Sequence, residues 1–223
     1  MPPIITIVGR SNSGKTTLVE KLTRELTSRG YRIATIKDSH KQPSFDSDGK
    51  DSARHMAAGS VATAIRTQQE VVVFHHNCRE EEVSLEEISR LLGENADLII
   101  AEGFKYADAA KIEVHRKGRD LLDNPKRLVA IATEEKLNTK ARQFDINDAN
   151  GICDLLEKGF ILPNRRRVSL YINNKPIELK AFPRKIIENV IINMVRSLKG
   201  TECPESIDIS VRKPNDQPDQ TLL

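Results

Sequence analysis

Ile4-Ile-Thr-Ile-Val8 runs directly into Gly9-Arg10-Ser11-Asn12-Ser13-Gly14-Lys15-Thr16. The first segment is apolar and β-branched, the mark of a buried strand. The second fits the spacing G-x-x-x-x-G-K-[ST] of a phosphate-binding loop. At average residue usage, a chance match in a chain of 223 residues is rarer than about one in a hundred. Leu18, Val19, Leu22 and Leu26 then recur at helical spacing until Gly30. Strand, glycine loop and helix in that order are what phosphate binding needs. The glycines let backbone N–H groups turn toward phosphate oxygens, and the helix N-terminus adds partial positive charge. In such a loop Lys15 reaches the β- and γ-phosphates and the Thr16 hydroxyl ligates Mg²⁺. A glycine-rich turn with an N-capping threonine would explain neither Lys15 nor the strand before it.

The rest of the chain repeats the alternation. Tyr31 to Ile36 reads as a second strand, Lys37 to Gly49 as a polar loop, and Ser52 to Ala58 as a short helix stopped by Gly59. Val61 to Ile65 and Val71 to Phe74 read as paired strands around Thr67-Gln-Gln-Glu70. Ser84 and Glu87 form a capping box for a helix carrying Leu85, Ile88, Leu91 and Leu92, stopped by Gly93. Leu98 to Ala101, Lys111 to Val114 and Leu128 to Ala132 are strand-like, and Ile146 to Leu156 is helical. Strands alternating with amphipathic helices predict an α/β fold of the P-loop NTPase type. Its mainly parallel sheet is covered by helices on both faces.

The character changes at Pro163-Asn-Arg-Arg-Arg167. A hairpin is expected from Val168 to Ile172 and Pro176 to Leu179. A helix follows with Ile186, Ile187, Val190, Ile191, Met194, Val195 and Leu198 on one broad face, then a last strand at Ile207 to Val211. This gives a P-loop domain over 1–162, a small ββαβ unit over 163–212 and a polar, Pro-containing, disordered tail over 213–223.

Composition narrows the function. Lys plus Arg total 35 against 32 acidic residues, a balance that gives no general pull toward nucleic acid. No Trp and an aromatic content of 4% argue against a base-stacking surface. No apolar run approaches the roughly 18 residues of a membrane span, and the N-terminus lacks the basic region of a signal peptide. Cys78, Cys153 and Cys203 are too far apart for a CxxC site and fit a reducing cytoplasm. His40, His55, His75 and His76 have no zinc-binding spacing.

Two further acidic features suit nucleotide chemistry. Asp97-Leu-Ile-Ile-Ala-Glu102 ends an apolar strand on an acid, where a phosphate-loop protein needs a carboxylate for the Mg²⁺ shell. Asp46-Ser-Asp-Gly-Lys-Asp-Ser52 with Arg54 reads either as a solvated loop or as a switch-like segment. In the second reading its carboxylates approach the metal or an attacking water, while Lys50 and Arg54 meet an anion. Lys111-Ile-Glu113-Val-His115-Arg116 alternates charge along a strand, which suits a half-exposed edge or a ligand-binding strand.

Taken together, Gly9 to Thr17, Ile36-Lys37, Asp46-x-x-Gly-Lys-Asp-Ser52 with Arg54 and Ala58-Gly59, Ala101-Glu-Gly-Phe-Lys105 and Lys111-Ile-Glu-Val114 resemble the MobB family. These are GTP-binding accessory proteins of molybdopterin-guanine dinucleotide synthesis, and the resemblance covers roughly residues 3–160. It implies a dimeric phosphate-loop protein that binds GTP and Mg²⁺ and hydrolyses GTP slowly at most. It implies partnership with the guanylyltransferase MobA, and with molybdopterin and molybdoenzymes as further candidates. Carried over by residue, Gly9, Arg10, Ser11, Asn12, Ser13, Gly14, Lys15, Thr16 and Thr17 contact the nucleotide, with Lys50, Asp51, Ser52 and Arg54 as a second binding segment. Thr16 and Glu102 hold the metal, and Asp46 and Glu102 are the catalytic acids. Asp38-Ser-His40-Lys-Gln-Pro43 stands where family members often carry a His-rich stretch, and the region from Arg165 onward lies outside the common core.

Guanine preference is not written locally. There is no Asn-Lys-x-Asp sequence, since Asn174-Lys175 continues into Pro176-Ile177. A P-loop small-molecule kinase or ligase is the alternative function, because one fold hosts many activities. A metallochaperone GTPase is disfavoured by the missing Cys/His cluster.

Overall fold

The β-branched Ile4–Val8 segment forms β1 at the centre of a six-stranded sheet. The computed structural model describes residues 1–39, 54–55, 57–75, 83–92, 95–164, 168–172, 175–177, 179–201, 204 and 207–211. The chain divides into two units, Met1–Arg167 and Val168–Leu223.

In the first unit, α1 (Lys15–Ser28) follows β1 and leads to β2 (Ile33–Lys37). A separate antiparallel pair, β3 (Ala62–Arg66) and β4 (Val71–His75), comes next. It is followed by α2 (Leu85–Leu92), β5 (Leu98–Glu102), β6 (Ala110–Val114), β7 (Leu128–Thr133), β8 (Gln143–Asp145) and α3 (Ala149–Leu156). The main sheet has the order β2-β5-β1-β6-β7-β8, with every neighbouring pair parallel. The order reverses direction around β1. In such sheets ligands bind beyond the carboxyl ends of the strands at this switch point.

Alternation in β5 shows how the sheet buries both faces. Leu98 and Ile100 join Leu18, Leu22 and Leu26 of α1 and Ile152, Cys153 and Leu156 of α3 on one side. Ile99 and Ala101 join Ile36 and Leu85 on the other. The expected capping box holds α2: the Glu87 N–H donates to Ser84 Oγ at 3.2 Å, and the Ser84 N–H donates to Glu87 Oε2 at 3.0 Å.

Three elements of this unit differ from the sequence reading. The helix expected at Ile146 starts at Ala149, because Asp148 caps it by accepting the Gly151 N–H at 2.9 Å. Gln143–Asp145 instead adds a sixth strand, too short and too polar for a periodicity signal. The strand Lys111 to Val114 is not an edge. It lies between β1 and β7 and is buried along its whole length.

A polar lock fastens α1 to α3. Arg29 donates to Asp154 Oδ1 at 2.7 Å and pairs with Glu25 and Glu157, and Tyr31 Oη donates to Glu157 Oε1 at 2.6 Å. Cys153 lies behind it, and burial pushes its thiol pKa up to about 12, so it is inert. Cys78 and Cys203 lie outside the described residues.

The second unit contains the expected hairpin, β9 (Leu170–Ile172) with β10 (Lys175–Ile177), and the helix α4 (Ala181–Arg196). The strand expected at Ile207 to Val211 is absent: these residues pair with no ladder among the described residues. β-propensity alone makes no strand without a partner edge. Along α4, Phe182, Ile186, Val190 and Met194 are exposed, as is Leu198 just beyond it, and Ile187, Ile191 and Val195 are half-buried.

The tightest constraint falls where β1 ends. Gly9 has φ of 146°, and a Cβ there would lie 2.5 Å from the Val114 carbonyl oxygen and 2.8 Å from Ser13 Oγ. Gly9→Ala is expected to destabilise the first unit by about 1–3 kcal/mol through backbone strain, read as a lower urea midpoint. An unchanged midpoint would show that the end of β6 yields at no cost.

Candidate functional site

Val8, Glu102 and Lys37 come together because their strands are adjacent and in register. Ile7 and Lys37 both pair with Glu102, one on each side of β5, and Val8 pairs with Glu113 on β6. The loop Gly9–Gly14 therefore turns directly above the carboxyl ends of β5 and β6.

The loop is built on positive backbone angles: 146° at Gly9, 58° at Asn12 and 97° at Gly14. Ser13 N–H closes the turn onto the Arg10 carbonyl at 3.3 Å. Gly14 caps α1 without a side chain, and no acid occupies the first helical turn. The start of α1 is thus an uncapped helix N-terminus with anion-binding character. Lys15 folds back over the loop, its Nζ donating to the carbonyls of Arg10 at 2.9 Å and Gly9 at 3.2 Å. Ser11, Asn12, Thr16 and Thr17 are exposed, and Ser13 is buried with its Oγ unpartnered among the described residues.

Thr16 meets the acid that the sequence singled out. Its Oγ1 donates to Glu102 Oε1 at 2.8 Å, and Lys37 Nζ lies 3.4 Å from Glu102 Oε2. A hydroxyl and a carboxylate converging beside a phosphate loop form a hard, all-oxygen donor set that fits Mg²⁺. Among the described residues no three or more His, Cys, Asp or Glu side chains gather as a metal-binding group.

The backbone around Glu102 is fixed. Asp38 N–H donates to the Glu102 carbonyl at 3.0 Å, and Gly103 N–H donates to the Ile7 carbonyl at 3.0 Å. Gly103 has φ of 97°, and a Cβ there would lie 2.8 Å from Asp38 Cβ. Only glycine lets β2 and β5 end this close together.

On the other side of the loop, β6 presents a buried polar row. Lys111, Glu113 and His115 are 1%, 2% and 4% exposed. Lys111 Nζ donates to the Ala107 and Ala109 carbonyls, and burial lowers its pKa. Glu113 Oε1 accepts the Leu122 N–H at 2.6 Å, while its Oε2 has no partner among the described residues. His115 Nε2 lies 2.7 Å from the Arg119 carbonyl and its Nδ1 3.0 Å from Thr133 Oγ1. Arg116 donates from Nε to the Ser13 carbonyl at 3.0 Å and pairs with Glu134. Arg10 donates to the Leu121 carbonyl at 3.4 Å. Glu113, His115, Arg116 and Arg10 therefore form a bracket between the 116–122 loop and the phosphate loop, while Lys111 holds the 107–109 segment.

The structure joins Gly9 to Thr17 and Glu102 into one site. Asp46, Lys50, Asp51 and Ser52 lie outside the described residues, and Arg54 is exposed in a short helical turn. Sequence reasoning assigned no role to Lys37, Asp38 or Arg116. For Lys37 a signal existed: like Glu102, it ends a strand that abuts the loop.

Sheet order, glycine loop and paired strand-end acid define a P-loop nucleotide-binding fold. The chain belongs to the MobB family: residues 4–134 match the family model described as molybdopterin guanine dinucleotide synthesis protein B. A molybdopterin-guanine dinucleotide biosynthesis adapter protein from Escherichia coli strain K12 is 35% identical over 161 residues, covering 70% of this chain and 92% of the relative. A relative from Methanocaldococcus jannaschii is 26% identical and covers 93% of this chain and 97% of its own length. The solved structure of molybdopterin-guanine biosynthesis protein B superposes with a TM-score of 0.57 at 25% identity, over 70% of this chain and 98% of that one. Bacillus subtilis MobB gives 0.53 at 25% identity, over 71% and 98%.

The β6 bracket has a pH signature. Burial raises the Glu113 pKa above its ordinary 4.5, against the opposing pull of the Leu122 N–H, His115 and Arg10. Between the unfolded and folded values, the folded protein binds more protons than the unfolded chain. Stability from this group is fully present below the unfolded value and is lost as pH rises through the folded one. Glu113→Gln keeps an acceptor for Leu122 and carries no charge. It is expected to raise the thermal midpoint at about pH 8 and to change it little near pH 4. A lower midpoint at the higher pH would overturn the assignment.

Proposed function

We propose that this protein is a GTP-binding adapter in molybdopterin guanine dinucleotide biosynthesis, acting with Mg²⁺ at the step that joins GMP to molybdopterin. The observation that carries the reading is the convergence of Thr16 and Glu102 beside an uncapped phosphate loop, in a chain of the MobB family. In this reading Lys15 leaves the Gly9 and Arg10 carbonyls for the β- and γ-phosphates, and the loop N–H groups surround phosphate oxygens. Thr16 and Glu102 hold Mg²⁺, which when bound neutralises charge between the phosphates. Arg116 and the β6 bracket keep the loop in shape without moving a proton.

The guanine dinucleotide in the family's name supports GTP as the nucleotide in this reading. The partners in this reading are the guanylyltransferase MobA, molybdopterin and a recipient molybdoenzyme, with the protein itself a cytoplasmic homodimer. No helix among the described residues is long and apolar enough to cross a membrane. Hydrolysis is slow at most, with Asp46 as its further acid. The kinase or ligase alternative is not favoured by the family or by the relatives' names.

Lys15→Ala tests the reading. A hydrogen bond to a charged group contributes roughly 1.5–3 kcal/mol, so GTP affinity should fall by about 10–100-fold. Calorimetric titration reads the loss, with circular dichroism as the folding control. An unchanged dissociation constant would falsify the nucleotide site.

The second unit belongs to the adapter side of the role. The E. coli relative is nearly spanned by 70% of this chain, whereas the M. jannaschii alignment covers 93% and must reach beyond residue 168. Truncation after Leu162 is expected to keep GTP affinity within about threefold, because every named site residue precedes it. Light scattering or a guanylyltransferase pull-down should change instead. Loss of GTP binding in a truncated protein that still folds would place the second unit in the nucleotide site.

A further inference from the structure

Glu102 has both carboxylate oxygens engaged, and by different kinds of partner. Oε1 accepts the Thr16 hydroxyl at 2.8 Å, and Oε2 faces the Lys37 ammonium at 3.4 Å. The Glu102 side chain is 13% exposed and that of Lys37 61%. The acid is therefore the fixed end of the pair and the lysine the movable one. Backbone bonds from Asp38 to Glu102 and from Gly103 to Ile7 hold the strand ends in place, so exchange needs only side-chain rotation.

At 3.4 Å, and with its lysine end exposed to solvent, this ion pair is weak and readily exchanged. Lys37 has a flexible four-carbon stem ending in a point charge with three donors. A divalent cation held by Thr16 and Glu102 would repel an ammonium on the same carboxylate. The terminal phosphate of a nucleotide bound by the loop would offer Lys37 a new anion. Lys15 is held separately, over the Gly9 and Arg10 carbonyls. Arg116 does not compete for this place, since Ser13 and Glu134 hold its guanidinium on the β6 side.

We propose that Lys37 is a second phosphate-directed cation: it exchanges between Glu102, where the structure places it, and the terminal phosphate of a bound nucleoside triphosphate. The proposal rests on the nucleotide-binding reading and deepens it. Lys37 makes the site sense whether a γ-phosphate is present. It is a contact to the triphosphate state that the diphosphate cannot offer. It also competes with the metal for Glu102, so that metal and triphosphate favour each other.

The test compares wild type, Lys37→Met, Lys37→Arg and Glu102→Gln in the full chain. GTP and GDP are titrated calorimetrically at saturating Mg²⁺ and with a chelator. Binding of Mn²⁺, a paramagnetic substitute for Mg²⁺, is followed by electron paramagnetic resonance with GDP present. Circular dichroism checks each fold, and the exposure of Lys37 makes its substitutions mild. Lys37→Met is expected to weaken GTP about 10-fold at saturating Mg²⁺ and GDP less than about twofold. Its Mn²⁺ half-saturation should fall by about two- to fivefold, because a weak competitor has gone. Lys37→Arg should restore most of the GTP affinity, and Glu102→Gln should lose the Mg²⁺ enhancement for both nucleotides. Equal weakening of GTP and GDP, or no change in either, would overturn the role of Lys37 while leaving the site intact. An unaltered Mn²⁺ half-saturation would remove the competition for Glu102. If wild type binds neither nucleotide, the parent reading fails first and Lys37 falls with it.

Discussion

Between the end of β1 and the start of α1 the chain must reverse over the carboxyl ends of β5 and β6 without a side chain at the pivot. The Val114 carbonyl oxygen lies 2.5 Å from where a Gly9 Cβ would be, and the Arg116 guanidinium lies 3.1 Å from where a Gly14 Cβ would be. Everything else at the site depends on that closeness. Gly9 lies against the end of β6, so the loop passes over the sheet edge with no side chain between them. Because α1 starts immediately, its dipole points into the same space. Glu102 reaches Thr16 from the neighbouring strand only because β5 pairs with β1 in a register that sets Ile7 opposite Glu102.

The charges around this turn are distributed by burial. On the β5 side, Glu102 is half-buried and its partner Lys37 is exposed, so the lysine end of the pair is exchangeable. On the β6 side, Lys111, Glu113 and His115 are sealed in, each with backbone or hydroxyl partners from a neighbouring loop or strand. Charge in such surroundings is costly to rearrange, so these residues serve as scaffold. The same residue types thus hold a loop on one strand and remain free to meet a ligand on the other. The difference is the depth of the strand end, not the chemistry of the side chain.

How much of this was legible in the sequence follows from where each signal is local. The glycine loop, the strand before it, Lys15, Thr16 and the strand-end Glu102 could be read because strand, loop and helix periodicities change at fixed residues. The capping box of α2 was legible for the same reason. The depth of β6 was not: Lys111-Ile-Glu-Val alternates like an edge strand, and its burial comes from loops that cover it only in three dimensions. β8 has three residues and one aromatic, too few for a period. The strand expected at Ile207 to Val211 had the right residues, but a strand also needs an edge to pair with. Lys37 was visible in the family pattern without a role, because its neighbour Glu102 is 65 residues away along the chain.

The two units also differ in where they put their apolar residues, and that difference fits an adapter better than a self-contained catalyst. The first unit fills both faces of its six-stranded sheet, whose large aliphatic residues are buried or half-buried, and among the described residues it exposes strand valines only at Val71 and Val73 of β4. The second places Phe182, Ile186, Val190, Met194 and Leu198 at intervals of four residues along and just beyond α4, all exposed. Side chains four apart form one of the ridges by which helices pack into grooves. Burying each such side chain is worth roughly 1.5–3 kcal/mol, so the unit leaves much of its available stabilisation unused within itself. Phosphate contacts need a rigid turn on a fully packed sheet, whereas recognition of another surface needs apolar area held in reserve.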